Sequence, residues 1–99
     1  MKPAKSCRNL KDIRGAVNAI DRDLMRLLAK RQQYALAALQ FKTDRKSIAD
    51  PRHRKTMFGQ RGEWAARLDL NPRMVKKIFL AIVDESKRLH LAGFRARGR

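Results

Sequence analysis

The stretch Leu10–Lys42, LKDIRGAVNAIDRDLMRLLAKRQQYALAALQFK, decides the fold. Its apolar row runs Leu10, Ile13, Val17, Ile20, Leu24, Leu27, Arg31, Tyr34, Ala38 and Phe41. The spacing alternates three and four throughout, the pattern of a coiled-coil seam on one helix face. No proline interrupts it, and Gly15 is the strongest break. Asn9 stands at the cap position and Asp12 follows three residues on, a reduced capping box. A helix over residues 10–42 is about 50 Å long at ~1.5 Å per residue. A compact domain of this size has a radius of gyration of only ~13 Å. The rest of the chain cannot cover such a helix, so the pattern predicts a homodimer whose long helices pack against each other.

Outward from this stretch, Thr43 to Ala49 reads as a polar, charged loop. Asp50-Pro51 then pairs a capping carboxylate with proline at the first helical position. The second helix carries the row Met57, Arg61, Trp64 and Leu68, weakened at Gly59 and Gly62 by roughly 1 kcal/mol each relative to alanine. Asn71-Pro72 repeats the start signal. The third helix carries Val75, Ile78, Phe79, Ile82, Val83, Ser86 and Leu89. From Gly93 the tail is basic and is expected to fray. The expected fold is all-α: three helices, the first very long, in a single domain over residues 1–99.

Ninety-nine residues make one domain at most. With 43% apolar residues the chain has the composition of a globular protein. Its 25 Lys and Arg against 9 Asp and Glu leave a formal charge of +16. Such an excess fits an anionic partner (nucleic acid, a membrane surface or an acidic metabolite) or a solvated basic surface. Cys7 is the only cysteine, so no intrachain disulfide forms, and a reducing cytoplasm is the simplest compartment. No apolar run of roughly 18 residues spans a membrane. Met1–Ser6 leads into no apolar signal core. The two histidines and one cysteine have no metal-ligand spacing, and there is no phosphate loop. Any chemistry here is expected to need no metal, cofactor or covalent intermediate.

Arg31 is the most informative residue, because it stands where the seam calls for leucine or isoleucine. Burying a guanidinium without a partner is costly. One account pairs it with Asp21 or Asp23 of a second copy, or lets it snorkel to the rim. The other makes it an anion clamp. Lys42 lies eleven residues on, about 20° around the helix and ~16 Å along it. Ala35 and Ala38 lie between them, leaving space for a small molecule held at both ends. Arg14 is about 25 Å from Arg31 along the same helix, so one chain cannot bring both to one ligand. An antiparallel partner helix can. His90 falls on the inward face of the third helix, and His53 sits within the basic run Arg52-His53-Arg54-Lys55.

The run Leu10-Lys11-Asp12-Ile13-Arg14, then Ile20-Asp21-Arg22-Asp23-Leu24, Arg31 and Phe41-Lys42 resembles the all-helical chorismate mutase family. Cys7, Tyr34, Pro51, Met57, Arg61, Trp64, Leu70, Val75, Phe79 and Ile82 look especially like its isochorismate-pyruvate lyase branch, which makes salicylate. The resemblance implies an intertwined homodimer with two sites. Each takes Arg14 from one chain and Arg31, Lys42 and His90 from the other. Arg14 and Arg31 would clamp the two carboxylates of chorismate or isochorismate, and Lys42 would donate to the enol-ether oxygen. Ser86 matches a position that assists with a carboxylate, and Asp50 one near the ring hydroxyl. Where the mutases usually carry glutamine this chain has His90. Their Asp-Pro-x-Arg-Glu reads here Asp50-Pro51-Arg52-His53-Arg54.

The expected activity is therefore rearrangement of chorismate to prephenate, with isochorismate-pyruvate lyase chemistry as the close alternative. Both ask for fixed cations that select a compact dianion and stabilise charge on its ether oxygen. A reading from another class is a non-catalytic basic helical protein that binds nucleic acid or another anionic partner. Three site cations account for little of the charge excess. Against this reading, no DNA-reading motif is present and stacking aromatics are scarce.

Overall fold

The computed structural model describes residues 3–41 and 50–97. They form three α-helices: α1 (Leu10–Ala38), α2 (Pro51–Arg67) and α3 (Pro72–Arg97). Short 3₁₀ turns cover Ala4–Ser6 and Leu39–Phe41. The described residues contain no strand, and the fold is all-α as the periodicity requires. Lys42 and the loop Thr43 to Ala49 lie outside the described residues. The chain divides into two compact units, Met1–Tyr34 and Ala35–Arg99.

In the first unit α1 begins where local chemistry places it. Asn9 Oδ1 accepts the Asp12 amide at 2.9 Å. The Asp12 carboxylate reaches back to the Arg8 amide at 3.2 Å. Two amide donors are thereby satisfied, the second one residue earlier than in a standard capping box. The helix stays α-helical to Ala38 and tightens to 3₁₀ over Leu39–Phe41, a common way to finish a helix. No residue of α1 is buried within the chain. Its apolar row lies open, with Leu24 53% and Leu27 63% exposed.

The second unit is built on α2 and α3. Asp50 Oδ1 accepts the Arg52 amide at 3.0 Å, with Pro51 at the first helical position. Asn71 Oδ1 does the same for Arg73 at 2.9 Å. Met57, Ala65 and Val75 are buried. Arg61 belongs to the same row as Met57, yet it is a cation. Its guanidinium lies 5.0 Å from the Trp64 ring and 5.2 Å from the Phe79 ring, and it donates to the Met57 carbonyl at 3.4 Å. Two aromatic faces and a backbone oxygen thus take the charge that the apolar row would otherwise reject.

Two boundaries differ from the sequence pattern. α2 ends without glycine: Leu70 N–H donates to Ala65 at 2.8 Å and Asp69 N–H to Ala66 at 3.3 Å, a Schellman ending. Asp69 therefore occupies the left-handed region at φ 57°. α3 runs through Gly93 to Arg97 instead of stopping there. Gly93 serves close packing rather than a helix end, since a Cβ there would stand 2.5 Å from Leu39 Cδ2.

The surface ion pairs are exposed and worth little. Asp23 receives Arg26 at 2.7 Å. The Arg88 guanidinium bonds to Glu85, holding that carboxyl below its usual value and raising its own.

A left-handed conformation is strained for a residue with a Cβ and free for glycine. Asp69→Gly should therefore stabilise the protein by about 0.5–1 kcal/mol, read as a higher urea midpoint with an unaltered slope. A lower midpoint would mean that the aspartate side chain supports the turn.

Candidate active site

The residues singled out from the sequence are distributed over both units. In the first, α1 carries Arg14 and Arg31. Arg14 is exposed beside Ile13. Arg31 is half-buried, whereas all ten residues before it are exposed, so the seam arginine is less open to water than the stretch that leads to it. Seventeen positions separate the two guanidinium-bearing residues, about 25 Å on a helix. A single copy does not bring them to one small ligand.

In the second unit, Asp50 is exposed and its carboxylate is committed to the N-terminus of α2. Ser86 and His90 lie one turn apart on α3, Ser86 half-buried and His90 buried at 8% exposure. His90 Nε2 stands 2.5 Å from the Ala35 carbonyl oxygen. The candidate Lys42 falls outside the described residues.

The two basic replacements in the Asp50-Pro51-Arg52-His53-Arg54 run behave differently. His53 is exposed. Arg54 turns toward α3, 3.5 Å from Asp84 Oδ1, and lies over the Phe58 ring at 5.7 Å. Its charge is thus engaged within its own unit. Among the described residues no group of three or more His, Cys, Asp or Glu could hold a metal ion. None of the described helices is long and apolar enough to cross a membrane.

Two contacts escaped the sequence reading. The carbonyl of Ala35 is a backbone group 55 residues from His90 and leaves no mark in a side-chain pattern. The Arg61 site had a partial signal, because Trp64 follows at i+3 on the same helix face. Phe79, the second ring, comes from another helix.

A long, apolar-striped helix with arginines on and beside the stripe, followed by a capped helical pair, defines an all-helical protein with cations set along its first helix. The model of the type II chorismate mutase family matches residues 13–91, and the chain belongs to that family. It is also 34% identical over 83 residues to an isochorismate pyruvate lyase of Pseudomonas aeruginosa. That match covers 84% of this chain and 82% of the relative.

Asp50 can be tested as a cap separately from any contact with ligand. Asparagine caps as well as aspartate, while alanine does not. Asp50→Ala should cost about 1 kcal/mol and Asp50→Asn only a few tenths, both read by urea denaturation. Equal losses from the two would show that the charge, not the cap, matters for stability.

Proposed function

We propose that this protein is an isochorismate-pyruvate lyase, working as a homodimer in the cytoplasm without a cofactor. The observation that carries this reading is the similarity to the Pseudomonas lyase, which extends over most of both chains. The residues at 53 and 54 support it. Position 54, where the mutases hold a glutamate toward the ring hydroxyl, is an arginine paired with Asp84. Chorismate mutase activity is the second reading, favoured by the family model. It uses the same dianion clamp.

The chemistry follows from the residue types. In the lyase reaction the ether C–O bond breaks while a ring hydrogen moves to the methylene of the enolpyruvyl group. That group leaves as pyruvate, and the ring becomes salicylate. No proton, electron or water is taken from outside. The protein's task is to hold a compact conformer and to stabilise negative charge gathering on the ether oxygen.

Arg14 of one copy and Arg31 of the other hold the two carboxylates, and Lys42 donates to the ether oxygen. Asp50 and Ser86 meet the remaining polar groups, and His90 stands one turn along α3 from Ser86. The dimer is supported by the open apolar row on α1 and by the distance between the two arginines. The basic surface remains available to a nucleic acid, and a steep fall of binding with salt would be its mark.

The test is incubation with isochorismate and, separately, chorismate. Salicylate with an equal amount of pyruvate is expected from the first. Prephenate alone, from the second, would favour the mutase, and no product from either would end the enzymatic reading. Lys42→Ala should lower kcat by roughly 100-fold or more, the loss typical of one charge-stabilising donor. Sedimentation should give twice the chain mass.

A further inference from the structure

His90 is the only buried polar residue among the described residues, and its ring nitrogen Nε2 meets the backbone carbonyl of Ala35. A carbonyl oxygen accepts and never donates. The proton between His90 and Ala35 therefore sits on Nε2, so the neutral ring is the Nε2–H tautomer and Nδ1 keeps its lone pair. Ala35 lies in the last turn of α1, just before the chain tightens to 3₁₀ over Leu39–Phe41. Its oxygen has two lone pairs and can take the imidazole proton beside a helix amide.

Three residues along the same face of α3, Gly93 meets the same segment. A Cβ at that position would stand 2.5 Å from Leu39 Cδ2, so the Leu39 side chain lies directly against the glycine. A hydrogen bond at position 90 and a close approach at position 93 thus fasten Ala35–Phe41 to α3. Lys42 is the next residue in the sequence.

We propose that His90 is a positioning residue: its Nε2–H pins the last turn of the first helix to α3, and the neutral ring has no second N–H to give a ligand. This deepens the reading of the site given above and rests on it for the identity of the ligand. A glutamine at position 90 carries two amide N–H bonds and serves a carbonyl and a ligand oxygen together. A neutral imidazole carries one, and Ala35 takes it. Donation to the ether oxygen then falls to Lys42, and His90 acts through the segment it holds.

Long-range proton–nitrogen correlation spectra of the full-length protein at pH 8 should show the Nε2–H tautomer of His90, with Nδ1 unprotonated. The Nδ1–H tautomer would overturn the proposal. In His90→Leu, amide exchange at Leu39–Phe41 should speed up at least tenfold. With isochorismate, kcat should fall at least tenfold while KM moves less than threefold. Unchanged exchange would overturn the pin.

His90→Gln restores an N–H donor. It should return exchange to the parent rate and hold kcat within threefold of the parent or above it. A larger fall in kcat with exchange restored would mean that the imidazole itself acts on the ligand. If His90→Leu does not fold, the tautomer and the glutamine variant still decide. If the parent protein turns over neither substrate, the lyase reading fails, while the tautomer and exchange measurements still test the pin.

Discussion

α1 has no buried residue, yet its row carries Ile13, Val17, Ile20, Leu24 and Leu27. Most helical stability in proteins comes from packing an apolar face against something else. Burying one aliphatic side chain of this size contributes roughly 1.5–3 kcal/mol. A stripe of five is therefore a large unmet term for one chain. A second copy offers an identical stripe of identical length, which is why the proposed dimer follows from the helix. The same constraint governs the site. An antiparallel pair brings Arg14 of one helix toward Arg31 of the other, which 25 Å of a single helix keeps apart. Stability and ligand binding then draw on one arrangement.

The two arginines on apolar rows show how differently such an anomaly can be resolved. Arg61 has Trp64 and Phe79 on its faces and the Met57 carbonyl within reach. Its charge is absorbed locally, and it joins α2 to α3. Arg31 is half-buried on a helix that has no buried residue within the chain. Periodicity alone treats the two positions alike. The distinction comes from the rings around one of them, and one of those rings belongs to another helix.

Helix starts were legible because their chemistry is local. Asn9, Asp50-Pro51 and Asn71-Pro72 each mark an end whose amides a nearby side chain satisfies. Helix ends were less legible, because a glycine can mark either a cap or a close approach. Gly93 is the second kind, and only Leu39, more than fifty residues earlier, decides it. Asp69 is the converse, a left-handed residue with a Cβ where the pattern gives no glycine. Of the candidate site, the place of Arg31 on the apolar row was readable from spacing, and the family from the resemblance. The partner of His90 was not, because a backbone carbonyl has no residue type.

The lyase and mutase reactions act on dianions that carry the same two carboxylates and the same ether oxygen. The cations that meet those groups therefore cannot choose between them. The choice must lie with groups that touch the ring or fix the conformer, and these are the positions where this chain departs from the mutase pattern. Arg54 replaces a carboxylate and spends its charge on Asp84 and the face of Phe58. His90 replaces an amide bearing two donors with a ring whose neutral form bears one. Both changes remove a polar group that could order the ring hydroxyl or add a second bond to the ether oxygen. In the proposed reading, a site stripped in this way still clamps and compresses its ligand, but it has fewer means to stabilise developing charge. Such a site favours a reaction driven by formation of an aromatic ring over one that needs every available donor.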